Sequence, residues 1–242
     1  MSTPFEPPGT SETPNPTPGP GPDTVVEPAR RRPWPPVCAT IIAGSVVLYV
    51  LNALLPGADR RDFLGPVFRW LFLYGPLVQS GQYWRVLTCV FSHGSPFHIL
   101  FNMMVVYSLG MPLERAIGSG RFLLVSLVTT LGASTFSLLF DFDMPTVGAS
   151  GMILGWAGAM FVTSTRESRK GLSTWLVQVA IISLLPGVSW AGHLGGFLFG
   201  LPMGVALRSG PRVFARTAPL VLAISVAVSY VVAHPERFRG TP

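Results

Sequence analysis

"TVGASGMILG" (residues 146–155) combines the start of an apolar helix with a serine between two glycines. A serine in the first turn of a helix is most often an N-cap, which accepts a hydrogen bond from an unpaired backbone N–H. Gly148 and Gly151 favour a second interpretation, because residues without side chains allow close approach and leave the Ser150 N–H uncovered at the positive end of a helix dipole. Residue types and spacing alone leave both interpretations open, a helix cap and a backbone N–H that stabilises an oxyanion.

The composition of the whole chain is typical of a membrane protein. Of 242 residues, 49% are apolar and only 12% are charged, which argues against a soluble globular domain. Several apolar stretches are shorter than the roughly 20 residues of a full crossing, which suggests a thinned bilayer or helices that begin below the surface. We expect an all-α polytopic membrane protein with helices near 37–55, 97–113, 121–140, 150–165, 172–186, 192–207 and 217–233.

The two ends of the chain differ from its centre. Residues 1–36 contain 12 of the 24 prolines together with Gly, Thr and Ser. Such a composition cannot bury enough apolar surface to offset the entropy of ordering. We therefore expect a disordered, Pro-rich cytoplasmic tail over 1–36, a transmembrane domain over 37–233 and a short C-terminal tail over 234–242.

The positive charges predict the orientation. With a cytoplasmic N-terminus, the cytoplasmic segments hold eleven of the seventeen Lys and Arg residues: Arg30, Arg31, Arg32, Arg115, Arg121, Arg166, Arg169, Lys170, Arg208, Arg212 and Arg216. The positive-inside rule favours this arrangement. We expect a multi-pass plasma-membrane protein with a cytoplasmic N-terminus. Because the charges fall between apolar stretches, topology accounts for the net charge of +6 and a nucleic-acid partner is not expected.

This orientation gathers polar residues on the outer side. His93 and His98 lie at the start of the second helix, Ser150 at the start of the fourth and His193 at the start of the sixth. Polar groups at membrane depth are costly and are usually functional or paired. The four residues are therefore candidates for one site.

"GHLGGFLFG" (residues 192–200) provides a surface for close helix packing. His193, Gly196 and Gly200 share one helical face, and a Gly-x-x-x-Gly face lets another membrane helix approach closely. Matching small residues occur on the fourth helix at Gly151, Gly155 and Gly158. Such packing would bring Ser150 and His193 within hydrogen-bond range. The competing interpretation is an interfacial or helix-pairing histidine.

"HGSPFHILFNM" (residues 93–103) places His98 and Asn102 one turn apart on the same helical face. An imidazole and a carboxamide at that spacing can both donate to a developing oxyanion. The alternative is a metal site formed by His93, His98 and His193. Against it, no Asp, Glu or Cys accompanies them at ligand spacing, whereas zinc sites usually have such partners or a third well-placed His with second-shell carboxylates.

Taken together, these motifs resemble the rhomboid intramembrane serine proteases. The resemblance covers about residues 80–207. It rests on "YWR" (83–85), His98 with Asn102, "LERAIGSG" (113–120), "GASG" (148–151) and the run of His193, Gly196 and Gly200. It implies a rhomboid-like six-helix core, to which the stretch 217–233 adds a seventh C-terminal transmembrane helix.

The resemblance also implies a role for each residue. Ser150 would be the nucleophile and His193 the general base of a dyad that needs no metal or cofactor. The oxyanion hole would comprise His98, Asn102 and the Ser150 N–H. The implied partners are transmembrane protein substrates and the lipid bilayer, while the oligomeric state stays open. Structural rather than catalytic roles are implied for Trp84, Arg85, Glu114, Arg115, Gly148, Gly151, Gly196 and Gly200.

The chain departs from the family pattern one turn after Ser150. Many rhomboid proteases have an aromatic residue there that stacks on the catalytic histidine, but this chain has Leu154. The His193 ring must then be held by packing or by another group. The alternative function is a catalytically inactive rhomboid-like protein that binds membrane-protein clients, since a fold does not imply an activity.

Overall fold

The computed structural model describes residues 34–55 and 65–237. Within these ranges the chain is helical with no β-strand, apart from one isolated antiparallel bridge between Leu73 and Thr146. Residues 1–33 of the predicted N-terminal tail and residues 238–242 of the predicted C-terminal tail lie outside the described residues. Three of the arginines used to predict the orientation, Arg30, Arg31 and Arg32, therefore also lie outside the described residues.

Every predicted apolar stretch lies on a helix. The helices are α1 (Pro36–Leu54), α2 (Gly75–Gln79), α3 (Arg85–Thr88), α4 (Pro96–Val105), α5 (Met111–Ile117), α6 (Ser119–Phe140), α7 (Ser150–Thr163), α8 (Arg166–Ile182), α9 (Trp190–Arg208) and α10 (Pro211–Ala233). A π-helical turn over Val106–Gly110 joins α4 to α5. The sequence did not predict the short helices α2 and α3.

The predicted and observed helix boundaries differ most where a helix begins with polar residues. α8 begins at Arg166 rather than near 172, and α10 begins at Pro211 rather than near 217. In α8 the Thr165 hydroxyl caps the helix by accepting a hydrogen bond from the Ser168 N–H at 3.3 Å. Hydropathy detects only the apolar part of a helix, so it misses a charged first turn.

Five helical segments of the described chain are long and apolar enough to cross a membrane. They are α1, α4 with α5, α6, α9 and α10, while α7 is apolar but shorter. The predicted class, an all-α membrane protein, is confirmed. A six-helix core plus a seventh helix needs α7 and α8 to cross as well, so that count stays a prediction.

α6 occupies the centre of the helices. Of its most apolar 18 residues, 67% are buried, whereas the corresponding share is 17% in α1 and in α10. Three of its buried hydroxyls donate to carbonyls of the same helix, for example Ser126 Oγ, which donates to the Phe122 carbonyl at 2.8 Å. The same oxygen accepts the indole N–H of the fully buried Trp156 at 3.0 Å. This bond fastens α7 to α6.

α7 and α9 pack backbone against backbone. A Cβ on Gly196 would collide with the Gly151 carbonyl, and a Cβ on Gly200 would collide with the Gly155 carbonyl one turn further along. Any larger side chain would push the two helices apart. Small residues of this kind are what allow close approach of membrane helices. The seam holds the first turns of α7 and α9 side by side.

Candidate active site

The loop before α7 is fixed by its neighbours on both sides. Leu73 and Thr146 exchange two backbone hydrogen bonds of 2.9 Å, and the Gly148 N–H donates to the Cys89 carbonyl at 3.0 Å. Gly148 has a φ of +113°, which strongly favours glycine. The loop therefore holds Ser150, the first residue of α7, in a defined position. As a first-turn residue, Ser150 has no acceptor for its N–H within its own helix.

Ser150 and His193 are in direct contact. His193 Nε2 lies 2.7 Å from Ser150 Oγ, and both residues are half-buried. His193 stands in the first turn of α9, whose cap is the Ser189 hydroxyl accepting the Gly192 N–H at 3.2 Å. The glycine seam and the cap together position the imidazole.

A third side chain, Ser183, contacts the other edge of the same imidazole. Its Oγ lies 2.6 Å from His193 Nδ1 and 2.7 Å from the Val179 carbonyl. Sequence reasoning missed Ser183, which follows α8 within the apolar run "VAIISLLPG" (179–187). The only available signal was a single hydroxyl in that run, which by itself indicates nothing.

His98 and Asn102 converge on Gly148. A Cβ at Gly148 would lie 2.6 Å from His98 Nε2 and 3.9 Å from Asn102 Nδ2. His98 Nδ1 accepts the Gly94 N–H at 3.4 Å, so the neutral ring carries its hydrogen on Nε2, the atom beside Gly148. Asn102 Nδ2 donates one hydrogen to the His98 carbonyl at 2.9 Å and keeps a second. The structure thus gathers several N–H donors close to Ser150.

His93 lies behind this group. It is 1% exposed, its ring centroid is 5.1 Å from that of His98, and its Nδ1 donates to the Phe91 carbonyl at 3.3 Å. Burial, and secondarily the neighbouring His98, lowers the pKa of His93 to about 3, so the ring is neutral.

The three histidines considered for a metal are not arranged as ligands. Both ring nitrogens of His193 are hydrogen-bonded to serine hydroxyls. In the part of the chain that the structure describes, no three His, Cys, Asp or Glu side chains are placed to hold a metal ion.

Two residues of the "YWR" motif organise the first loop. The Arg85 side chain is 2% exposed and donates to Gln82 Oε1 and to the Phe72 and Arg69 carbonyls, each at 2.8 Å. The Trp84 indole N–H donates to the Trp70 carbonyl at 3.0 Å. These bonds tie α3 to the segment whose Leu73 pairs with Thr146. They therefore support the loop before α7 from a distance.

Glu114 and Arg115 lie at the opposite end of the helices. The buried Glu114 carboxylate accepts the Val37 N–H at 3.0 Å and the Cys38 N–H at 2.8 Å. It thereby satisfies unpaired N–H groups in the first turn of α1, where a negative charge also favours the helix dipole. Arg115 is exposed. Glu114 joins α1 to α5 far from Ser150.

Comparison with known proteins matches the central part of the chain. A family model described as "Rhomboid domain" matches residues 80–210. "Rhomboid protease GluP" of Bacillus subtilis (strain 168) is 32% identical over 166 residues, which cover 64% of this chain and 32% of the relative. "RHOMBOID-like protein 4" of Arabidopsis thaliana is 35% identical over 215 residues, covering 74% of this chain and 54% of the relative.

A third relative is named for a particular organelle. "RHOMBOID-like protein 6, mitochondrial" of Arabidopsis thaliana is 34% identical over 167 residues, covering 63% of this chain and 54% of the relative. This chain therefore spans about a third to a half of the length of these curated relatives. The match includes all the residues described above that surround Ser150.

Proposed function

Because this chain belongs to the rhomboid family, we propose that it is an intramembrane serine endopeptidase that cleaves transmembrane-helix substrates near the outer membrane face. The observation that carries the proposal is the 2.7 Å separation of Ser150 Oγ and His193 Nε2. That distance lets the imidazole accept the hydroxyl proton directly. The apolar helices and the family make the chain a multi-pass membrane protein, and a relative named as a protease supports hydrolysis.

The proposed reaction is acyl transfer in two halves. His193 Nε2 takes the Ser150 proton as Oγ bonds to the substrate carbonyl carbon, and the carbonyl oxygen becomes an oxyanion. His98 Nε2–H, the Asn102 amide and the Ser150 N–H donate to that oxygen. The protonated His193 then gives its proton to the leaving amine as the peptide bond breaks. A water, deprotonated by His193, hydrolyses the acyl-enzyme and restores both residues.

The packing of α8 suggests where a substrate helix enters. Within Arg166–Ile182 no residue of α8 is buried, so this helix is the most weakly held of the long helices. A cavity of about 320 Å³ separates it from α4 and α7, lined by Val105, Ser108, Leu109, Met160, Leu172 and Trp175. Outward movement of α8 would open this side to lipid. A substrate must then unwind to reach Ser150, which favours Gly, Pro and small residues near the scissile bond.

The orientation and the membrane are part of the proposal. The charge distribution supports a cytoplasmic N-terminus, which places the first turns of α4, α7 and α9 on the outer side. We assign the chain to the plasma membrane. One relative is named as mitochondrial, so family membership does not by itself determine the membrane.

Replacement of the two dyad residues tests the proposal. In proteoliposomes containing a model transmembrane substrate, we expect Ser150→Ala and His193→Ala each to lower kcat by about 10⁴-fold or more. Ser209→Ala is the matched control and should cleave normally, because among the described residues this exposed hydroxyl at the end of α9 bonds only the Val205 carbonyl.

Labelling with a fluorophosphonate distinguishes the protease from a client-binding protein. The probe should modify Ser150 in the wild-type protein and fail to do so in His193→Ala, as seen by mass spectrometry. Cleavage by Ser150→Ala at the wild-type rate would refute the assignment. Substrate binding without cleavage or labelling in the wild-type protein would instead support the inactive client-binding alternative.

A further inference from the structure

Ser183 is an isolated buried polar residue in a segment whose other side chains are exposed or half-buried. From Arg166 to Trp190, all of which the structure describes, it is the only buried residue, with 7% exposure. Its neighbours Ile182 and Leu184 are 51% and 81% exposed. A hydroxyl that alone turns inward from an apolar segment needs a polar partner. That partner is His193.

The hydrogen bonds around Ser183 determine where the His193 hydrogen lies. Ser183 Oγ is 2.7 Å from the Val179 carbonyl, and a carbonyl only accepts, so the hydroxyl donates its single hydrogen there. Its lone pairs are then left to accept from His193 Nδ1–H at 2.6 Å. With the hydrogen on Nδ1, the neutral ring has an unprotonated Nε2 facing Ser150.

We propose that Ser183 is a positioning residue that holds His193 in the Nδ1–H form, with Nε2 ready to accept the Ser150 proton. The inference rests on the proposed protease function and identifies the group that orients a dyad without an acid. In this chain an aromatic residue cannot stack on the imidazole from position 154, because that position is Leu154. The directional hydrogen bond to the Ser183 hydroxyl orients the His193 ring, as aromatic stacking would do from position 154.

The same bond assists the reaction as charge develops. When His193 gains the Ser150 proton it becomes an imidazolium, and its Nδ1–H becomes a stronger donor. The bond to Ser183 therefore strengthens between the ground state and the transition state, which is the condition for an interaction to raise kcat. A group that only fills space would not behave in this way.

Three variants test the role of the hydroxyl. We expect Ser183→Ala to lower kcat about tenfold, with KM changed by less than about twofold, because a buried ring N–H loses its acceptor while substrate contacts remain. Ser183→Thr keeps a hydroxyl that can still accept and should restore most of kcat. Ser173→Ala is the matched control on α8, since Ser173 Oγ bonds only the Arg169 carbonyl in the described contacts, and it should cleave normally.

A measurement on the wild-type protein keeps the proposal testable if Ser183→Ala fails to fold. In a ¹⁵N spectrum of the neutral protein in micelles, with the His193 signals assigned by their loss in His193→Ala, Nδ1 should be protonated and Nε2 unprotonated. A neutral His193 ring with its hydrogen on Nε2 would overturn the inference. Wild-type kcat in a folded Ser183→Ala variant would overturn it as well.

The two proposals fail differently. If Ser183→Ala cleaves normally while Ser150→Ala does not cleave, the positioning role is wrong and the protease assignment stands. If Ser150→Ala cleaves normally, the protease assignment fails and the role of Ser183 falls with it.

Discussion

The glycine seam between α7 and α9 predicts that one added methyl group will disable the dyad. In Gly196→Ala the new Cβ would collide with the carbonyl of Gly151, the residue after Ser150. Backbone cannot rotate away as a flexible side chain does, so the helices must separate by more than about 1 Å to reach ordinary contact. This overpacking should lower the free energy of unfolding by roughly 1–3 kcal/mol.

The same separation stretches the contact between the Ser150 and His193 side chains. Ser150 Oγ and His193 Nε2 start 2.7 Å apart, and an added separation of about 1 Å exceeds the hydrogen-bond range. A misplacement of that size can cost about 100-fold in rate, so we expect kcat to fall by about that factor while the protein stays folded.

Cleavage in proteoliposomes and thermal unfolding in detergent measure the two effects separately. Gly171→Ala on α8 is the matched control, because a Cβ there meets no atom within 4 Å. It should leave kcat unchanged and raise stability by about 0.5–1 kcal/mol as an ordinary helical Gly-to-Ala change. Wild-type kcat in a folded Gly196→Ala protein would refute the claim that backbone contact across this seam holds the dyad together.

Two further predictions concern the loops. Arg85→Ala should lower the free energy of unfolding by about 3 kcal/mol, measured by thermal unfolding, because it leaves the buried Phe72 carbonyl, the Arg69 carbonyl and Gln82 without their charged donor. His93 has a folded-state pKa of about 3, below its ordinary value of 6.5, so the unfolded state binds more protons between these values. Stability should therefore fall as pH is lowered from 6.5 towards 3. In His93→Asn the free energy of unfolding should depend less steeply on pH between 6.5 and 3. An unchanged slope would contradict the claim that the lowered pKa of His93 causes this dependence.

Much of the architecture follows from local features of the sequence. Apolar runs of sufficient length predict helices because a backbone in lipid must satisfy its hydrogen bonds within one segment. The observed helix starts at Ser150 and Pro96 lie within one residue of the predicted starts at 150 and 97. The resemblance to the rhomboid proteases, carried by short motifs such as "GASG" (148–151), is confirmed by the family match.

The sequence was less informative where polar residues take part in helices or loops. It missed the charged first turn of α8 and the short helices α2 and α3, because neither feature has an apolar period to detect. The number of membrane crossings depends on α7 and α8. The first is short and the second is amphipathic, so length and composition do not determine their placement.

By itself, the sequence indicated most of the residues that are able to form the site, although not Ser183. It placed a serine and two histidines near the starts of helices, an asparagine one turn after the first of these histidines, and glycines spaced so that two helices could touch. These properties are local, since each is set by residues within one or two turns of one another.

Only the tertiary structure decided which atoms meet. Ser183 and His193 are joined at 2.6 Å, and Gly148 lies against His98. No pattern in the sequence predicts these contacts, because each depends on how separate segments pack in three dimensions. The reach of a hydrogen bond is about 3 Å, so small differences in helix packing determine whether the Ser183 hydroxyl contacts the His193 ring or remains one polar group in an apolar run.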